Sequence, residues 1–151
     1  MKQMMIVLVL SLLLAACSSK EVVVHDYQFT GESEHWRAVY HVKGTGTFTE
    51  KDHRTHYESE SQTNFTLEYK GTLEGLSSVK SLKYQFESSA GGGESTQTFD
   101  RPPTTTSFHS SSSAKNGAIE TQDETIRVTV EWDGKKESFE LTNKKEASKG
   151  D

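Results

Sequence analysis

The chain has 151 residues, with 17 basic and 22 acidic side chains, a net charge of −5, two prolines and a single cysteine. That length suits one ordinary domain, one cysteine excludes an internal disulfide framework, and the negative balance disfavours nucleic acid and anionic lipid as electrostatic partners. Apolar residues make up only 32% of the chain, so the 7 Phe, 5 Tyr and 2 Trp must supply much of any core.

The first stretch is a targeting pattern. Lys2 precedes a run from Met4 to Leu14 interrupted only by Ser11, shorter than the roughly 20 apolar residues that a membrane-crossing helix needs. It ends in Leu14-Ala15-Ala16-Cys17, which has small residues before a cysteine, as in a bacterial lipobox. The expected organisation is a lipoprotein signal peptide over 1–16, an acylated Cys17 with a tether to residue 20, a domain over 21–142 and a disordered tail over 143–151. Thioether attachment of diacylglycerol consumes the one sulfur. Each buried methylene adds about 0.8 kcal/mol, and two or more chains hold stably. The expected location is therefore the outer face of the cell membrane, held by lipid. Residues 1–16 contain one lysine and no acid, so the mature chain would be more negative still.

Val22 to Thr30 reads as a strand, with Val23, Tyr27 and Phe29 sharing a face and His25 between them. A polar break over Gly31 to Glu34 leads into Trp36, Ala38, Tyr40 and Val42 on alternate positions, a one-sided strand. Gly44-Thr45-Gly46 reads as a bend, and the charged run Glu50 to Arg54 as a hairpin tip. Phe65, Leu67 and Tyr69 alternate again. Leu73, Leu76 and Val79 have helix-like spacing, limited to a turn or two by Gly75. Leu82, Tyr84 and Phe86 form another strand, closed by a loop at Gly91-Gly92-Gly93. The Ser/Thr-rich stretch 95–116 predicts weak edge strands and long loops, with Phe99 and Phe108 as its anchors, and Asn116-Gly117 predicts a hairpin turn.

The last hairpin is the best specified. Ile126, Val128, Val130 and Trp132 alternate up to Asp133-Gly134, followed by Phe139 and Leu141. A two-residue type I′ turn pairs Trp132 with Lys135, Val130 with Glu137, Val128 with Phe139 and Ile126 with Leu141. Either the tip leaves the core at Trp132, or the Lys135 stem covers the indole. Eight to ten strands without a long helix predict an all-β fold: an antiparallel β-sandwich of immunoglobulin-like size, or a small lipocalin-like barrel as the alternative. The sparse apolar content favours a filled interior over a hollow one.

Gly31-Glu32-Ser33-Glu34-His35-Trp36, Ser88-Ser89-Ala90-Gly91-Gly92-Gly93, Asn116-Gly117-Ala118-Ile119-Glu120 and Glu131-Trp132-Asp133-Gly134-Lys135 together give the mature chain a distinctive signature. In these motifs it resembles a family of small cell-surface lipoproteins of Bacillus-type spore-forming bacteria. The resemblance implies a monoderm cell surface and carries over no catalytic residue.

Catalytic patterns are not evident. His53 and His56 have His-x-x-His spacing, but in a charged turn rather than on a helix, and with no third ligand beside them in sequence. His35 and His41 read as polar outer-face residues, and His25 as a half-buried, hydrogen-bonded one. Glu58 and Glu60 share a solvated face. There is no Gly-x-Ser-x-Gly elbow, and the triple glycine opens no phosphate-holding helix. The expectation is a non-enzymatic binding domain without metal or cofactor, meeting a wall component or a membrane protein. Its candidate binding surface is Trp132 with Lys135, and its lipid attachment residue is Cys17. A carrier of a small apolar ligand is the competing expectation.

Overall fold

The computed structural model describes residues 19–143. The lipobox, Cys17 and the last eight residues lie outside them. Eight antiparallel strands form one sheet: β1 Ser19–Glu32, β2 Trp36–Lys51, β3 Arg54–Tyr69, β4 Ser81–Glu87, β5 Gly92–Thr98, β6 Ser107–Lys115, β7 Thr125–Trp132 and β8 Lys135–Thr142. Their order across the sheet is β5-β4-β7-β8-β1-β2-β3-β6. A short 3-10 turn, Leu73–Leu76, precedes β4.

The sheet folds on itself into two four-stranded halves that meet at one registered pair, Thr30 with Thr142. The fold is all-β, as composition and alternation predict. The two layers expected of a sandwich are present in the packing, but they are one continuous, nearly closed sheet, so the barrel layout describes the connectivity. The seam lies between β5 and β6, where Phe99 and Phe108 approach to 6.4 Å between ring centroids. These are the weak edge strands read from the Ser/Thr-rich stretch.

Aromatic rings from opposite walls touch across the interior. Trp36 on β2 meets Trp132 on β7 at 5.5 Å and Phe108 on β6 at 6.2 Å. One layer further along, Phe65 on β3 meets Phe86 on β4 at 4.5 Å, and Tyr40 meets Phe86 at 5.5 Å. Leu67, Leu82, Ile126, Val128, Val130 and Leu141 are fully buried among them. With so few aliphatic residues, large rings are what reach from one wall to the other.

The last hairpin adopts the expected register at every pair from Trp132–Lys135 to Ile126–Leu141. Asp133 and Gly134 both have positive φ, 45° and 80°, as a type I′ turn requires. The charged run Glu50 to Arg54 is likewise a tip, with Asp52 and His53 at φ 52° and 59°.

Three readings change. Gly44 and Gly46 do not bend the chain, because β2 runs straight through them to Lys51. Both face inward and leave room for neighbours: a side chain at Gly44 would meet Ile119, and one at Gly46 the Tyr57 ring. Gly92 and Gly93 belong to β5 rather than to a loop, with Gly93 packed under the Phe86 ring. Asn116-Gly117 does not make a two-residue hairpin, since the next strand starts only at Thr125. Instead residues 116–124 cross the end of the barrel, where Ile119 and Glu120 are buried and Asn116 donates its backbone N–H to the Ser59 carbonyl at 2.7 Å.

Candidate interaction surface

Side chains on β1, β2, β3 and β6 line up in rows on the outer face of their half-sheet, because the four strands are in continuous register. One row is Asp26, Lys43, Gln62 and Ser113; the next is Val24, Thr45, Glu60 and Lys115. Between them the sheet surface is concave, an open groove of about 640 Å³. It continues toward the β2–β3 tip past Thr47, Glu58 and Asn116.

Asp26, Lys43, Glu60 and Lys115 in the groove are paired, whereas Glu58 makes no ion pair among the described residues. Asp26 accepts a hydrogen bond from His41 Nε2 at 2.7 Å and lies 3.5 Å from Lys43 Nζ. The His41 contact, reinforced by Lys43, lowers the Asp26 pKa below its ordinary value. Glu60 lies 2.8 Å from Lys115 Nζ, which lowers the carboxyl pKa and raises that of the ammonium. Both pairs are solvent-exposed, so they add little stability. They leave a surface of hydroxyl, amide and paired charge around the exposed Val24.

A second cluster lies at the other end of the half-sheet, where β1 turns into β2. Glu137 on β8 receives Ser33 Oγ, the His35 backbone N–H at 3.1 Å and the His35 ring Nδ1 at 2.5 Å. His35 stacks on Tyr69 and tilts against Trp132. Glu34, His35 and Glu137 bring one ligand atom each within 4.8 Å of one another. Both Glu137 oxygens, however, are already engaged by the turn, so the carboxylate holds the β1–β2 connection rather than an open coordination site. Burial favours the neutral acid at Glu137, but the Ser33 and His35 hydrogen bonds outweigh it and lower the pKa. A lowered folded-state pKa contributes stability above the unfolded value of 4.5 that is lost as pH falls below it. Glu137→Gln is expected to cost about 1–2 kcal/mol near neutrality and to flatten the acid limb of a stability–pH curve measured by urea unfolding. An acid limb unchanged from wild type would show that Glu137 does not hold the turn.

A buried carboxylate lies inside the barrel, on the segment that crosses its end. Glu120 is 5% exposed and accepts from Tyr40 Oη at 2.6 Å and Ser88 Oγ at 2.7 Å. His25 Nδ1 lies 3.2 Å from the Glu120 carbonyl, the half-buried, hydrogen-bonded role expected of it.

No family model, curated protein or solved structure matches the chain.

Of the residues singled out in the sequence, Trp132 is 6% exposed and packs on Trp36, so the indole is core and not a surface platform. Lys135 Nζ lies 5.9 Å from its ring centroid, so the lysine covers the indole while the strand stays on the core. The structure does not bring Trp132 and Lys135 to the groove. His53 and His56 sit exposed at and beside the β2–β3 tip. Sequence reasoning missed the groove because its rows depend on pairing β3 with β6 across the whole stretch between Tyr69 and Ser107. It missed Glu120 too, although an Ile-Glu pair alone in a polar stretch is the available signal. Among the described residues, no helix is long and apolar enough to cross a membrane.

Proposed function

We propose that this chain is an extracytoplasmic lipoprotein whose β domain is an interaction module, held by acylated Cys17 at the outer face of the cell membrane. The observation that carries the binding-module reading is the filled interior beside an open outer groove. Rings from facing walls meet at 4.5–5.5 Å, which leaves a carrier's apolar ligand no central hollow. The groove offers hydroxyls, amides and, apart from Glu58, paired charge. It fits a neutral polar chain, such as a strand of wall polymer, better than it fits a nucleic acid or an apolar small molecule. β1 begins at Ser19, so an anchor at Cys17 leaves the domain almost no tether and keeps the groove within reach of the inner wall.

The test is fractionation of cells fed labelled fatty acid. Cys17→Ala is expected to lose the label and leave the mature membrane fraction, with the β domain still folded. Retention of the label by Cys17→Ala would end the lipoprotein reading.

A further inference from the structure

Among the described residues, β1 is paired on only one side over most of its length. All fourteen residues pair with β2, whereas β8 is registered with it only at Thr30 and packs on towards Gly31. Among the described residues, the outer edge of Ser19–Phe29 meets no other strand. Such an edge is a template for strand addition unless it is blunted by proline, a bulge or like charge. The two edges at the seam, Gly92–Thr98 and Ser107–Lys115, are mostly Gly, Ser and Thr. The β1 edge instead carries Val22-Val23-Val24, with Val22 51% and Val24 69% exposed.

The residues flanking these valines are self-complementary. In Lys20-Glu21-Val22-Val23-Val24-His25-Asp26, an antiparallel copy centred on Val23 sets Lys20 against Asp26, Glu21 against His25 and Val22 against Val24. Two-fold symmetry makes each contact twice. No like charges oppose in this register. Opposite-charge and β-branched pairs placed directly across from each other are the ones that stabilise antiparallel strands.

We infer that the open edge of β1 pairs with β1 of a second copy about a two-fold axis at Val23, joining two barrels into one continuous sheet. The outer rows then run on across the axis: the Asp26–Lys43 row gains the second copy's Lys20, and the Val24–Thr45 row its Val22. The groove thereby becomes part of a surface spanning both copies. The pairing does not depend on the lipid anchor.

The test is disulfide crosslinking of the full chain in intact cells. Val23→Cys places two thiols on the axis at Cβ separations of about 4.5–5.5 Å, and a reducible dimer is expected. Gln28→Cys, on the same edge, places them about 34 Å apart at ten strand positions, and no dimer is expected. In the Val23→Cys chain, Lys20→Glu sets like charges together twice and is expected to cut the crosslinked fraction about tenfold. Adding Asp26→Lys restores opposite charges and is expected to recover it. The same comparison in a Cys17→Ser background removes any contribution from an unacylated Cys17, so loss of the anchor reading leaves the result interpretable. Absence of a Val23→Cys dimer, a dimer indifferent to Lys20→Glu, an equal dimer from Gln28→Cys, or a crosslink to a different protein would each overturn the pairing.

Discussion

Trp36→Ala is expected to cost about 3–5 kcal/mol, seen as a fall in the urea midpoint followed by far-UV circular dichroism. Trp36 is fully buried and contacts Tyr69 at 5.2 Å, Trp132 at 5.5 Å and Phe108 at 6.2 Å. Those rings stand on three other strands that its loss would leave facing a cavity. Phenylalanine at the same position is expected to cost less than half as much. It keeps a ring in the layer, and it removes an indole N–H that has no hydrogen-bond partner among the described residues. Equal losses for the two substitutions would mean that ring volume at this layer does not hold the walls together.

Glu120→Ala is expected to cost about 2–4 kcal/mol, because it strands the Tyr40 and Ser88 hydroxyls inside the barrel end. Glu120→Gln keeps an acceptor and is expected to cost less. The same contact sets an alkaline limit. Burial, together with the hydrogen bond to Glu120 and its charge, raises the Tyr40 pKa far above its ordinary value of 10.0. The folded chain therefore keeps a proton that the unfolded chain releases. This contribution is fully present below pH 10 and is lost as pH rises beyond it. Wild type is expected to lose stability steeply above pH 10, and Tyr40→Phe to lose less over the same interval. Parallel curves for the two would show that the phenol does not titrate differently on folding.

The local code was strongest where two constraints coincide. Over Ile126 to Leu141, alternation fixes the face and Asp133-Gly134 fixes the turn, so each pairing could be written down residue by residue. The first half of β3, Arg54 to Thr63, was silent because neither of its faces is apolar; it is a strand because β2 pairs with all of it and β6 adds a second partner from Glu60 onward. Gly44 and Asn116-Gly117 misled for a related reason. Glycine marks either a turn or a place where something must fit closely, and here the closeness comes from Ile119, seventy-five positions away. The groove is a product of register between distant strands, which no local pattern encodes. Trp132 shows the converse: charged partners near a turn left either exposure or a covering Lys135 stem open, and the lysine stem with a carboxylate-bound histidine shields the indole.

The placement of β1 at the edge of its half-sheet also has a mechanical meaning. Its fourteen pairs with β2 have hydrogen bonds perpendicular to the strand axis, so a pull at the N-terminus along that axis, resisted by a load on β2 or β3, strains the whole ladder at once instead of unzipping it bond by bond. A domain tugged between lipid at one end and a wall-bound ligand at the other would meet that force in shear, the loading geometry in which a β-ladder yields last.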